Sequence, residues 1–164
     1  MSAMEKFESI NALNQVAEFH HAFHHPVLPE PEIPDEKRCR LRVALLSEEL
    51  DELKDALEKK DLVQVADALC DIQYVLSGAV LEFGLGTRFR ALFDEVQRSN
   101  MSKACQSEED AIKTVEYYKN RDNTECYYER IDGYYLVYRK SDNKTMKSVN
   151  YSPADLEGIL SGKR

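Results

Sequence analysis

The segment VQVADALCDIQYVLSGAVL, residues 63–81, is apolar on nearly every side yet carries two carboxylates, Asp67 and Asp71. A helix that is apolar almost all round is normally buried in a bundle, so this stretch points to a helical core. The two acids are four residues apart and project one above the other on such a helix. Around them stand Ala66, Ala68, Cys70, Ile72, Tyr74 and Val75. An unpaired buried carboxylate is costly enough to protonate or to be selected against, so the pair calls for something to neutralise it.

A second acidic cluster lies just upstream, in LLSEELDELKDAL. At about 100° per residue, Leu46, Leu50, Leu53 and Leu57 line one helix face. Glu48, Glu49 and Glu52 share an adjoining arc, with Glu49 nearest the apolar border. A divalent cation held between the two helices would neutralise both clusters. Oxygen donors without His or Cys favour Mg²⁺, with Mn²⁺ as a substitute, over zinc or copper. Two plainer accounts compete. EELDELK also suits a solvated face with i,i+4 pairs to Lys54, Lys59 and Lys60, and Asp67 and Asp71 could be met by Arg38, Arg42 or Arg98.

The length of 164 residues allows one well-formed core with a small appendage. Asp and Glu number 30 against 22 Lys and Arg, a net −8, which argues against general nucleic-acid affinity. A small phosphorylated ligand stays open, because bound metal reverses the local sign. The four cysteines, Cys39, Cys70, Cys105 and Cys126, form no CxxC pair, and a reduced cytoplasmic protein is expected. Neither a secretion signal nor a membrane span is suggested by the N-terminus or by any long apolar run.

Along the chain, Phe7, Ile10, Leu13, Val16, Ala17 and Phe19 predict a helix over about 4–23, followed by a stiff connector punctuated by Pro26, Pro29, Pro31 and Pro34. Further helices are expected over about 35–59 and 62–83, the latter capped by Asp61 and stopped by Gly84 and Gly86. A fourth opens at Thr87 with RFRALFDEVQRSNMSK. Ser107 and Asp110 then cap a short helix ending near Asn120. Two Tyr-rich strands flank an Asp132-Gly133 turn, a further turn at Asp142-Asn143 leads to a third candidate strand, TMKSVNY, and Ser152-Pro153 starts a last short helix.

EELDE followed by VADALCDIQYVLSG resembles the all-α nucleoside triphosphate pyrophosphohydrolase superfamily, the MazG-like and phosphoribosyl-ATP pyrophosphohydrolase-like proteins, with their EExxE and later ExxD. Glu48, Glu49 and Glu52 match the first motif and Asp71 closes the second; at Ala68, where the family's Glu falls, the chain departs, and Asp67 stands one residue earlier. FDEVQRSNMSK resembles the family segment whose Asn and Lys approach substrate phosphates, here Asn100 and Lys103, and Lys147, Asn150 and Tyr151 fit a recurring MKxxNY pattern.

The order of elements gives a mainly α fold, with a four-helix core over 1–105 that the resemblance also implies, then a C-terminal appendage over 106–164 with a short helix, a β-hairpin or meander and a terminal helix, packed on the core. The resemblance implies Mg²⁺-dependent hydrolysis of a nucleoside triphosphate, or a phosphoribosyl-ATP-like nucleotide, between the α and β phosphates. Glu48, Glu49, Glu52, Asp67 and Asp71 would hold metal, with Glu48, Glu49 and Glu52 catalytic. Arg98, Asn100, Lys103 and Lys147 would bind substrate. Apart from the resemblance, the apolar surface that a core of this length leaves on the third helix predicts a homodimer or homotetramer.

Several of these residues have ordinary alternatives. Arg98 could pair with Asp94, Lys103 could be a solvated helix-end lysine, and the tyrosines suit cross-strand packing. His20 and His24, spaced i,i+4, could hold Zn or Ni, but no third ligand accompanies them and a helix C-terminus suits His. A di-iron bundle needs Glu-x-x-His on two helices, and only Glu18-Phe19-His20-His21 comes near it. A non-catalytic nucleotide-binding protein of the same fold is the closer competitor.

Overall fold

The computed structural model describes residues 6–162. The chain is mainly helical: α1 (Ala12–Ala22), α2 (Glu36–Lys59), α3 (Leu62–Glu82), α4 (Phe89–Met101), α5 (Glu108–Asp122), a hairpin of β1 (Cys126–Ile131) and β2 (Tyr134–Arg139), and the short α6 (Leu156–Leu160). Two compact units divide near Phe89, one over Glu5–Phe89 and one over Arg90–Arg164. Among the described residues, no helix is long and apolar enough to cross a membrane.

In the first unit α2 and α3 form a hairpin of helices, and α1 packs on α3. Lys60 closes α2 in the left-handed conformation, at φ 55°. Asp61 caps α3, its carboxylate accepting from the amides of Val63 at 3.0 Å and Gln64 at 3.2 Å. With only those two residues between them, the helices must run antiparallel, and residues equally far from the turn lie level with one another. Glu49 and Asp71 are equidistant from Lys60.

The proline-bearing stretch after α1 acts as a strap across the end of α3. The Leu28 amide donates to the Leu81 carbonyl at 3.0 Å and the Glu32 amide to the Phe83 carbonyl at 3.2 Å. Gly84, at φ +65°, is essential to that crossing, since a Cβ there would stand 1.8 Å from the Glu30 carbonyl oxygen.

Beneath the strap lies an ion cluster that the sequence pattern did not suggest. Glu82, 1% exposed, receives both Arg38 and Arg42 from α2; Arg38 Nε donates to its Oε2 at 3.0 Å. The His20 ring is buried beside them, with Nδ1 2.8 Å from the Pro26 carbonyl oxygen and Nε2 3.3 Å from Arg42 Nη2. A carbonyl only accepts, so Nδ1 carries the proton and Nε2 accepts from the arginine. His20 therefore has a local structural partner set. Gly78 makes room for the group, as a Cβ there would meet Arg42 Nη1 at 2.7 Å.

Three sequence expectations are corrected. Regular helix begins at Ala12 instead of about residue 4, because Phe7 and Ile10 are exposed and give the early part of the stripe nothing to pack against; residues 4 and 5 lie outside the described residues. The third helix is not buried along its length: Leu62 and Val63 are 80% and 78% exposed, and burial is confined to Ala68 and the last turns from Ser77. The last helix starts at Leu156 under an Asp155 cap, whose carboxylate accepts from the Gly158 amide at 2.9 Å, and not at Ser152.

The second unit is built on Cys105, Ala111, Tyr118, Cys126, Val137 and Met146, which pack between α5 and the hairpin. Asp132 and Gly133 both take positive φ, 49° and 89°, as a two-residue hairpin turn demands. The third candidate strand reduces to a single bridge between Tyr138 and Thr145. All four cysteines are free thiols.

Candidate active site

The α2–α3 hairpin brings the two acidic clusters together. Glu49 is half-buried at the seam, and its carboxyl is pushed above the ordinary value by burial first, then by the charges of Asp71, Glu52, Glu48 and Asp67. One side chain thus feels all four of the other acids, from its own helix and from the neighbouring one. Asp71 is half-buried, while Glu48, Glu52 and Asp67 are exposed. A bound cation would relieve the repulsion that Glu49 feels from the other four acids on top of its burial.

Among the described residues, no ion pair reaches Glu48, Glu49, Glu52, Asp67 or Asp71. Arg38 and Arg42, two of the cations considered as partners for Asp67 and Asp71, are spent on Glu82, and Arg98 is spent on Glu95. Within EELDELK, Lys54 pairs with Asp51 at 2.7 Å, as a solvated face would have it, while among the described residues neither Lys59 nor Lys60 pairs with any of the five acids.

The donor set suits a hard divalent ion: five carboxylates and no softer ligand. As they stand, no three His, Cys, Asp or Glu side chains among the described residues are gathered closely enough to hold an ion. Each glutamate has three side-chain torsions with which to turn inward.

The remaining expected site residues belong to the second unit. Lys103 Nζ donates to Asn100 Oδ1 at 2.8 Å, just beyond α4. Lys147 Nζ lies 4.1 Å from the centre of the Tyr151 ring, within cation–π range. Arg98 does not pair with Asp94, which has Arg90 at 3.7 Å. Its guanidinium instead forks onto Glu95 at 2.9 and 2.8 Å and reaches the carbonyls of Ser152 at 3.4 Å and Pro153 at 3.0 Å. Tyr127 and Tyr138 are cross-strand partners with ring centres 5.6 Å apart, the packing role expected of the hairpin tyrosines.

The first unit is thus a helix hairpin, α2 against α3, with carboxylates of both helices along its seam. The family model described as phosphoribosyl-ATP pyrophosphohydrolase matches residues 16–100, just over half the chain. The chain belongs to that family, within the MazG-like all-α superfamily, whose members typically use a divalent metal. It is also similar to an uncharacterised protein of Acanthamoeba polyphaga mimivirus, 29% identical over 122 residues, an alignment covering 68% of this chain and 48% of that protein. The chain thus spans about half the length of that relative.

Proposed function

We propose that the protein is a Mg²⁺-dependent nucleotide pyrophosphohydrolase, cleaving a nucleoside triphosphate or a phosphoribosyl-ATP-like nucleotide between the α and β phosphates to a monophosphate and pyrophosphate. The observation that carries this is the set of five mutually repelling carboxylates on α2 and α3, unpaired with any cation among the described residues. Such a grouping opposes folding, and binding a divalent ion explains its retention.

In this reading Glu48, Glu49, Glu52 and Asp71 hold the metal, and Asp67 either joins them or orients a ligand. Mg²⁺, or Mn²⁺ in its place, would offset the polyphosphate charge and lower the pKa of a bound water. A carboxylate left free of the ion takes the proton of the attacking water. Lys103 and Lys147 offset phosphate charge, Asn100 donates a hydrogen bond to a phosphate or sugar oxygen, and Arg98 would add a planar cation on giving up its hold on Glu95. The apolar side chains left exposed on α2 and α3, among them Leu57, Leu62, Val63 and Leu69, suit a homodimer or homotetramer.

The test is incubation with a panel of ribo- and deoxyribonucleoside triphosphates and phosphoribosyl-ATP plus Mg²⁺, assayed for monophosphate and pyrophosphate. Turnover on at least one, lowered about 100-fold or more in Glu49→Gln, is expected. In chelator the same variant should be as stable as the parent or more so, since it removes a charge the fold disfavours. Affinity for nucleotide without turnover on any would leave a non-catalytic binding protein; no turnover, with Glu49→Gln behaving like the parent, would defeat the proposal.

A further inference from the structure

Beyond the last residue that the family model matches, four separate segments send cations into one cavity. It measures about 390 Å³ and is lined by Lys103 after α4, Arg121 in the last turn of α5, Arg139 at the end of β2, and Lys144 and Lys147 after the next turn. No carboxylate is among its lining residues. Asp122 and Asp142 pair with Arg121 and Arg139. Lys103, Lys144 and Lys147 form no ion pair with a carboxylate among the described residues.

The convergence is built into the backbone and is not an accident of long side chains. The Ser148 amide donates to the Lys103 carbonyl at 3.1 Å, the Arg139 amide to the Lys144 carbonyl at 2.9 Å and the Met146 amide to the Val137 carbonyl at 2.8 Å. The Tyr118 hydroxyl donates to the Lys147 carbonyl at 3.1 Å. Bringing three unpaired lysines around one space, beside two arginines already paired with Asp122 and Asp142, costs stability, and clefts lined by one sign concentrate the opposite ion. The local field is already visible at Tyr151, whose phenol is drawn below its ordinary value by the hydrogen bond from Ser99 and, against burial, by Lys147 and Lys103. A second cavity of about 410 Å³ shares Tyr118, Arg121 and Lys147 with the first and adds Tyr117 and Tyr151. Volumes of this size suit small ligands.

We propose that this cavity is a binding site for a compact polyphosphate, held by Lys103, Lys144 and Lys147 as point charges and by Arg121 and Arg139 as planar donors. Lys103 and Lys147 already figure in the functional reading above, which this proposal deepens and on which it rests. Arg121, Arg139 and Lys144 come from the part of the chain after the family match and make the site a property of this protein's own C-terminal unit. The polyphosphate could be the tail of a nucleotide or the pyrophosphate that hydrolysis releases; the shared chemistry is a run of phosphate anions.

Calorimetric titration of the full chain with inorganic pyrophosphate, inorganic triphosphate and ATP, in chelator so that no metal-dependent binding contributes, tests this. Saturable 1:1 binding is expected, weakening several-fold as salt is raised from about 0.05 to about 0.3 M. The pair of changes Lys144→Ala and Lys147→Ala should weaken it about tenfold or more, a loss of about 1.4 kcal/mol. The pair Lys54→Ala and Lys113→Ala, exposed lysines that sit on Asp51 and Glu109, removes the same two charges and should leave binding unchanged. ATP binding more tightly than inorganic triphosphate would identify a nucleotide tail seated beside the tyrosines; pyrophosphate binding as tightly as either would identify the product. No saturable binding by any of the three, or binding untouched by the double change while circular dichroism shows both proteins folded, would overturn the proposal. Glu49→Gln, which tests the hydrolytic centre, should bind these anions in chelator like the parent, so the two ideas can fail separately.

Discussion

At the level of single residues, Glu82 is the most consequential side chain that the sequence did not flag. It answers two arginines 44 and 40 positions away, and nothing in the local pattern of α3 announces a buried acid in its last turn. Changing Glu82→Gln would strand two partly buried guanidinium groups, and breaking a buried pair in this way costs about 3–5 kcal/mol. A fall of that size in urea-unfolding stability with an unchanged denaturant slope is the expected result. The pH dependence has a definite sign. Burial raises the Glu82 carboxyl, but the bonds from Arg42 and Arg38 outweigh it and hold it below the ordinary range; burial likewise lowers His20, against its bond to Pro26. Both folded values are depressed, so both contributions are present above the unfolded pKa and lost as pH falls. Glu49 works the opposite way, being raised, but in the carboxylate range. Between about pH 7 and about pH 5 the imidazole dominates, and His20→Gln should flatten the decline in stability that the parent shows there.

Among the elements, α2, α3 and α5 were readable because each carries its own start signal: Asp35, Asp61 and Ser107 cap the three helices through side-chain bonds to backbone amides. The start of α1 was not, since an apolar stripe predicts a helix whether or not a partner surface meets it, and Phe7 and Ile10 stay exposed here. Nor was α6, because the carbonyls of Ser152 and Pro153 serve Arg98 before the helix begins. The α2–α3 turn holds a removable cost. Lys60 sits at φ 55°, a conformation that disfavours a side chain. Lys60→Gly should raise stability by about 0.5–1 kcal/mol, seen as a melting temperature roughly 1–4 °C higher.

Across the whole molecule the charge is divided unevenly. Residues 1–89 hold 17 acidic and 9 basic side chains, and residues 90–164 hold 13 of each, so the entire net −8 belongs to the half with the carboxylate seam. The acidic motifs were legible because they fall within two adjacent helices at helical spacing. The cation-lined cavity was not: Lys103 and Lys147 stood in recognisable phrases, but Arg121, Arg139 and Lys144 join them only through hairpin register and long-range backbone bonds. The α2–α3 surface carries large exposed apolar side chains at Val43, Leu50, Leu57, Leu62, Val63 and Leu69. Association through this surface is expected to give a dimer or tetramer in light scattering, and Leu69→Glu should shift the population toward monomer; a clean monomer of the parent would exclude the assembly.

The strap that ties Leu28 to Leu81 and Glu32 to Phe83 also governs what happens if the polypeptide is severed there. A nick between Pro26 and Pro34 would sever one covalent link, while His20, Arg42 and Glu82 still clasp the first helix from within. The leading peptide and the remainder would then behave as complementary fragments, able to find each other again in solution.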